Sequence, residues 1–197
     1  MLELEPLKTR IHTQGPIRLQ EILALGGHGE QVRRWVDRGD MVRMARGLYH
    51  LPEQPMGEHQ SLVEVALRSP QAVVCLLSAL QFHGLTTQNP HEVWIALPQG
   101  ARAPRWPDLG LRVLHLAPKF HQAGVETHTL AGTEVRVYSI AKTIVDNFRF
   151  RNLVGLDVAM EALREAVSQR RVTMDEVHRA AVARAVAGTM RPYLEML

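Results

Sequence analysis

The chain has 197 residues, 46% of them hydrophobic and 22% charged, an ordinary composition for a globular protein with one large domain or two small ones. No apolar run is long enough to cross a bilayer, and a single cysteine, Cys75, excludes a disulfide framework. The first residues are acidic, unlike the start of a secretory signal, so we expect a cytoplasmic location without membrane contact. Because the formal net charge is only +3 at a pI of about 9.4, any contact with a polyanion must be local.

Two short helices are predicted near the N-terminus. Leu19, Ile22 and Leu23 have the i, i+3, i+4 spacing of a helix with one buried face, and the glycines at 26 and 27 should end it. The same spacing returns in a second apolar set: Val32, Trp35 and Val36. Three polar or basic side chains should then turn outward together: Gln31, Arg34 and Arg38. Gly39 and Asp40 should stop this second helix.

A small basic hairpin is predicted in the stretch MVRMARGLYHL. Val42 and Met44 would lie on one strand face, the chain would turn near residues 45–47, and Tyr49 and Leu51 would return. Two cationic side chains would lie at the exposed edge and tip: Arg43 and Arg46. Between residues 31 and 46 five arginines oppose two aspartates, so this segment carries a net charge equal to that of the whole chain.

The order of helix, glycine turn, helix and basic hairpin is that of a winged helix-turn-helix. A major groove about 12 Å wide accepts one α-helix, whose first side chains reach base edges while flanking cations meet phosphates. We therefore predict a DNA-binding domain at residues 1–55. The residues assigned to base readout are Gln31 and Arg34, and those assigned to phosphate or wing contacts are Arg33, Arg38, Arg43 and Arg46. The alternative is a solvated basic helix beside an incidental hairpin.

A second, mixed α/β domain is predicted at residues 58–197, after a linker at residues 52–58. The fold class is thus α+β. Leu62, Val63, Ala66 and Leu67 indicate a helix ended at residues 69–70, and AVVCLLSAL indicates a second, buried helix that contains Cys75. VWIAL fits an interior strand and LRVLHL a half-exposed one.

The C-terminal part of this domain is predicted as a hairpin followed by helices. ETHTLAGTEVRVYS should turn at residues 131–132, and Ser139 should cap the next helix. The apolar stripe of that helix is Ile140, Ile144, Val145 and Phe148. A further helix should bury Leu156, Met160, Leu163 and Val167. Thr173 and Glu176 form a capping box for the last predicted helix.

Two other basic stretches are weaker candidates for nucleic-acid contacts. The proline-rich loop PQGARAPRWP contains Arg102, Arg105 and Trp106, which could stack on a base, or Trp106 could fold onto the core. In FRFRN, Phe148 continues an apolar stripe and leaves Arg149 and Arg151 available.

Catalysis, metal binding and cofactors are not expected. No histidine pair has zinc-motif spacing, and His115, His121 and His128 are expected to stay separate. No phosphate-binding glycine loop or nucleophile elbow is present. Ser139 and Lys142 have Ser-x-x-Lys spacing, but capping by Ser139 explains it. The acids of the C-terminal helices are expected to face solvent: Asp146, Asp157 and Glu161.

Several segments resemble the AbiEi-type antitoxins of bacterial abortive-infection systems, which are also transcriptional regulators. The most specific are SALQFHGLTTQNP and VYSIAKTIVDNFRFRN, and the basic helix and hairpin resemble the N-terminal domain of that family. The resemblance implies a winged helix-turn-helix that binds operator DNA and represses its own operon, joined to an α/β domain active against a nucleotidyltransferase-like toxin. Two alternatives remain: an adaptor that neutralises a toxin by direct contact, and a cryptic nucleic-acid enzyme. The oligomeric state stays open.

Overall fold

The protein is an α+β protein, seen here in a computed structural model that describes residues 2–54 and 57–195. These residues contain eleven helices and two small sheets. The chain divides into two compact units: unit 1 is Met1–Pro70 with His128–Val135, and unit 2 is Gln71–Thr127 with Arg136–Leu197. This division differs from the predicted domains of residues 1–55 and 58–197, since the helix at residues 60–68 groups with unit 1. Two residues of the predicted linker, Pro55 and Met56, lie outside the described residues.

Unit 1 contains a three-stranded antiparallel sheet with strand order β1-β3-β2. Its elements are α1 (Leu4–Gln14), β1 (Ile17–Arg18), α2 (Leu19–Ala24), α3 (Gly29–Asp37), β2 (Val42–Ala45), β3 (Leu48–His50) and α4 (Gln60–Arg68). The guanidinium of Arg18 donates to the carbonyl of Leu67, which ties α4 to the start of α2. Helix α4 ends at residue 68, as predicted.

The core of unit 1 joins α1, α2 and α3 to the small sheet. Its buried members are Leu7, Ile11, Ile17, Ile22, Val32, Trp35, Met41 and Leu51. Helix α1 was not predicted, yet it supplies two of these side chains at the i, i+4 spacing of one helix face. Because Trp35 is only 4% exposed, the inner face of α3 is held firmly in place.

The predicted glycine stops of α2 and α3 are confirmed. Gly26 and Gly39 both adopt left-handed backbone conformations, with φ of +89° and +78°, just after the last helical turn. Gly39 donates to the carbonyl of Val36 and Asp40 to that of Trp35, which satisfies carbonyls that the helix end leaves open. The prediction that Leu23 is buried is wrong, because 44% of the residue is exposed.

The hairpin forms as predicted, but its inward face differs. Val42 is 39% exposed, whereas Ala45 and Leu48 are buried. The strand register shifts between Arg43 and Ala45, which leaves Met44 without a partner across the ladder. Such a bulge interrupts the alternation of the two strand faces, which accounts for the exposure of Val42.

The chain from residue 71 onward contains the second sheet, whose strand order is β6-β5-β4-β8-β7. The elements of this part of the chain are β4 (Val73–Val74), α5 (Leu76–Phe82), β5 (Val93–Pro98), β6 (Leu111–Leu116), α6 (Pro118–Gln122), β7 (Val125–Leu130), β8 (Thr133–Tyr138), α7 (Ile140–Arg149), α8 (Arg151–Val154), α9 (Leu156–Ser168), α10 (Met174–Ala183) and α11 (Ala187–Leu194). The interior strand VWIAL and the half-exposed strand LRVLHL are both confirmed, as β5 and β6, and they pair in parallel.

The segment AVVCLLSAL is not one helix. Val73 and Val74 form the central strand β4, which pairs with β5 on one side and with β8 on the other. Cys75 then precedes α5 as its N-cap and is buried in the core. Two β-branched residues fit a pleated strand better than a helix, and the neighbouring strands supply their hydrogen bonds.

The local signals of the C-terminal part are mostly confirmed. The hairpin turns at Ala131 and Gly132, which both have positive φ, of 46° and 78°. Ser139 caps α7 by accepting from the amide of Lys142, and the capping box at the start of α10 is present. The buried face of α9 is offset from the predicted stripe and consists of Val158, Ala159, Ala162, Leu163 and Ala166. Leu156, which was predicted to be buried, is 37% exposed.

Candidate nucleic-acid interface

Helix α3 presents a basic outer face because its inner face is fixed in the core of unit 1. Val32 and Trp35 are buried, while Arg33, Arg34 and Arg38 are exposed. Within the described residues Arg34 forms no ion pair, so its guanidinium is available for a ligand. The helix begins at Gly29, and the side chain of its N-cap residue, His28, makes no capping hydrogen bond.

The outward orientation predicted for Gln31 is wrong. The residue is 6% exposed, and its Nε2 donates to the carbonyl of Leu2 at 2.5 Å. Its Oε1 is also buried and has no hydrogen-bond partner among residues 2–54 and 57–195. The sequence could not show this contact, because the segment that covers Gln31 is 29 residues away along the chain.

Two of the predicted phosphate-contacting arginines already have acidic neighbours. Arg33 Nε lies 3.8 Å from Asp37 Oδ2, and both side chains are largely exposed. Arg38 donates to Asp40 Oδ2 at 2.8 Å through a second guanidinium nitrogen and at 2.9 Å through Nε. Exposed pairs of this kind contribute about 0–1 kcal/mol, so a phosphate could replace either carboxylate at little energetic cost.

The hairpin carries the other two cations of unit 1. Arg43 lies on β2, is exposed, and its Nε is 3.4 Å from the carbonyl of Ala45. Arg46 is exposed in the turn between β2 and β3. Neither forms an ion pair within the part of the chain that the structure describes. Both guanidinium groups are therefore accessible to an anionic partner.

The five weaker candidates all lie in unit 2, in two separate segments of the chain. Arg102 and Arg105 are exposed in the loop between β5 and β6, where Trp106 is half-buried. Arg149 is exposed at the end of α7, and Arg151, at the start of α8, donates to the carbonyl of Phe148 at 3.1 Å. The structure assigns Arg149 and Arg151 to the lining of one pocket.

A buried charge cluster beside this pocket was missed by the sequence interpretation. Asp146, predicted to face solvent, has a side chain only 2% exposed, and it accepts from both Lys142 and Arg184. Arg184 Nε lies 2.6 Å from Asp146 Oδ1. Burial lowers the pKa of Lys142, and the Asp146 carboxylate opposes that shift. The i, i+4 spacing of Lys142 and Asp146 was a visible signal, but nothing in the sequence connects them to Arg184.

Two adjoining pockets border this cluster and share Phe120 and Arg184. The first, of about 290 Å³, is mostly apolar and also touches Lys119, Lys142 and Ala183. The second, of about 350 Å³, is more polar and contains Arg149, Arg151 and Thr189. The guanidinium carbon of Arg184 lies 4.2 Å from the centre of the Phe120 ring. A ligand with one apolar and one anionic part would match this division.

The histidines do not form a metal site within the described residues, where no group of three His, Cys, Asp or Glu side chains could hold an ion. His115 Nε2 bonds to the carbonyl of Ala101 at 2.9 Å, and His121 Nε2 to that of Gln71 at 3.1 Å. Burial, together with the nearby charge of Arg136, lowers the pKa of His121.

The elements above define a class of α+β protein whose basic α3 and hairpin lie in one unit and whose charged pockets lie in the other. In fold, the chain is similar to the Rv2827c protein from Mycobacterium tuberculosis, with a TM-score of 0.60 at 13% sequence identity over 97% of this chain and 76% of that one. No protein-family model matches the chain, and no curated protein matches it. Among the described residues, no helix has the length and apolar character that a membrane span requires.

Proposed function

We propose that the protein is a DNA-binding transcriptional autoregulator and the antitoxin of a toxin-antitoxin operon. The observation that carries the DNA-binding part is the order of elements in unit 1, where α2, α3 and the β2–β3 hairpin follow one another as in a winged helix-turn-helix. The exposed face of α3 and the hairpin present unpaired arginines at Arg34, Arg43 and Arg46. An accessible basic surface of this type favours a polyanionic partner.

In this proposal α3 enters the major groove and Arg34 reads a base. A guanidinium can donate two parallel hydrogen bonds to O6 and N7 of guanine, which makes arginine the commonest side chain in specific base contacts. Gln31 no longer has this role, because its amide is engaged inside unit 1. Base discrimination by α3 therefore depends on Arg34 rather than on two side chains.

The remaining cations would position the duplex. Arg43 and Arg46 would contact phosphates from the hairpin, which acts as the wing. Arg33 and Arg38 would exchange their exposed aspartate partners for phosphates when DNA binds. The aspartates lower the net charge of the free surface and so limit binding to unrelated polyanions.

The antitoxin part of the proposal is supported by the resemblance to AbiEi-type antitoxins, which is most specific in segments of unit 2. It implies a functional link to a nucleotidyltransferase-like toxin encoded beside this gene. Coexpression with the neighbouring gene tests the link, and the protein should relieve growth inhibition by that gene product. Growth that stays inhibited would leave a regulator without antitoxin activity.

The DNA-binding part is tested with the DNA upstream of the protein's own gene and a scrambled duplex of equal length. Arg34→Ala should reduce the preference for the specific duplex by about 1–3 kcal/mol, because one bidentate base contact is lost. Lys8→Ala, which removes one positive charge from α1, is the matched control and should leave the preference unchanged. If Arg34→Ala weakened binding to both duplexes equally, Arg34 would contact a phosphate and not a base.

The wing is tested by the salt dependence of binding. Arg43→Ala and Arg46→Ala should each weaken binding to both duplexes and reduce the slope of log K against log salt by about one unit, since each removes one phosphate contact. Fluorescence anisotropy at several salt concentrations measures the slope. A slope equal to that of the unmodified protein in both variants would exclude the hairpin from the interface.

A further inference from the structure

The two pockets of unit 2 contain far more positive charge than their own carboxylate can balance. Lys119 and Lys142 line the apolar pocket, Arg149 and Arg151 the polar one, and Arg184 lines both. Among the described residues the one acidic ion-pair partner of this group is Asp146, which is shared between Lys142 and Arg184. Within the part of the chain that the structure describes, five cations thus oppose one carboxylate at this cleft, a surplus of four positive charges.

Aromatic rings offset part of the surplus charge at this cleft, since Arg184 lies over Phe120 and Lys142 over Tyr138. Burying a charge without a partner is costly, and one carboxylate shared by two buried cations leaves a net positive charge below the surface. Arg149 is exposed, and within the described residues neither it nor Arg151 forms an ion pair. An anion held between these arginines and Arg184 would balance the charge and accept their hydrogen bonds.

The apolar half of the cleft offers space for an apolar group attached to the anion. Beside Phe120 the first pocket is bordered by small side chains, including Ala123, Ala141, Ala180 and Ala183, so space remains next to the cations. Together the pockets fall within the range of about 300–1,000 Å³ that is typical of small-molecule sites. A base would occupy the apolar pocket in such a ligand, and a chain of phosphates would occupy the arginine pocket.

We propose that the cleft of unit 2, formed by the two pockets that share Phe120 and Arg184, binds a nucleoside di- or triphosphate. The base lies in the apolar pocket beside Phe120 and Ala183, and the phosphates contact Arg149, Arg151 and Arg184. Two or more phosphates match the surplus of four positive charges better than one. This site is independent of the proposed DNA contacts, since every residue in it belongs to unit 2.

Isothermal titration calorimetry of the full chain with ATP, GTP, CTP and UTP at 0.15 M salt tests the proposal. At least one nucleotide should bind with a dissociation constant below about 1 mM, while adenosine and tripolyphosphate, which each offer one half of the ligand, should bind more weakly. Arg149→Ala should weaken nucleotide binding by about tenfold through the loss of one charge-assisted contact. Arg164→Ala, an exposed arginine of α9, is the matched control and should have no effect.

A second variant separates the two halves of the cleft. Ala183 is exposed at the end of α10, so Ala183→Phe fills the apolar pocket without changing charge. It should weaken nucleotide binding by about tenfold but leave tripolyphosphate binding unchanged. Circular dichroism spectra that match the unmodified protein confirm that both variants fold.

Three results would overturn the proposal. The first is the absence of saturable binding by all four nucleotides, and the second is tripolyphosphate binding as tight as nucleotide binding, which would indicate a general anion site. The third is a single-stranded RNA that binds more tightly than any nucleotide and loses affinity in Arg149→Ala, which would make the cleft a polymer site. DNA binding by unit 1 is measured separately, so its failure would not affect these outcomes.

Discussion

Removal of Asp146 should be among the most destabilising single substitutions in unit 2. In Asp146→Ala the cations of Lys142 and Arg184 lose the carboxylate that they share, while both stay buried, with side chains 7% and 8% exposed. Breaking a buried pair by deleting one partner costs about 3–5 kcal/mol, because the other charge is left uncompensated. Two cations lose their partner here, so we expect the upper half of that range.

Urea titration followed by circular dichroism measures this cost. With a urea dependence of about 2 kcal/mol per molar, a loss of about 4 kcal/mol lowers the unfolding midpoint by about 2 M. Asp175→Asn removes an exposed carboxylate at the start of α10 and serves as the control, with an expected change below about 0.5 kcal/mol. Amide hydrogen exchange in α7 should become faster in Asp146→Ala, in step with the decrease in the free energy of unfolding, which would show that the effect arises in unit 2.

A triple variant separates unpaired charge from lost packing. Lys142→Met, Asp146→Leu and Arg184→Met together replace the cluster with apolar side chains of similar size and should recover most of the stability. The penalty of Asp146→Ala should also shrink at alkaline pH, because the pKa of Lys142 is already lowered by burial and falls further without the carboxylate. A loss below about 1 kcal/mol in Asp146→Ala would refute the coupling of these three charges.

Two further predictions concern the hairpin tip and pH. Gly132→Ala should lower the free energy of unfolding by about 2–3 kcal/mol, because the added Cβ would lie 2.4 Å from the amide nitrogen of Gly15. The control is Gly100→Ala, which also has positive φ but open space around it, and it should cost only about 1 kcal/mol. Equal losses in the two variants would remove the steric explanation. The pKa of His121 in the folded protein is below its ordinary 6.5, so as the pH falls the unfolded chain takes up this proton before the folded one does. The neutral, buried His121 therefore contributes its full share of the folding stability above pH 6.5, and this share is lost as the pH falls towards the folded pKa. His121→Gln should therefore flatten the acid side of the stability curve, and an unchanged slope between about pH 5 and 6.5 would contradict this assignment.

Features that depend on a few neighbouring residues could be predicted from the sequence. Gly39 ends α3 because only a residue that tolerates positive φ closes that turn, and Ser139 caps α7 because its hydroxyl is within reach of an amide three residues on. The turn at residues 131–132 and the interior strand β5 also follow from local turn chemistry and from an unbroken apolar run. In each case the partners lie within a few residues of one another.

Features that depend on a distant element were decided only by the tertiary structure. Gln31 and Asp146 have the spacing of outward-facing helix residues, yet Leu2 covers the first and Arg184 pairs with the second. Periodicity shows which side chains share a helix face, but it does not show what packs against the other faces. Whether a polar side chain is left to solvent or enclosed depends on contacts 29 and 38 residues away in these two cases, and such contacts form only when the whole chain folds.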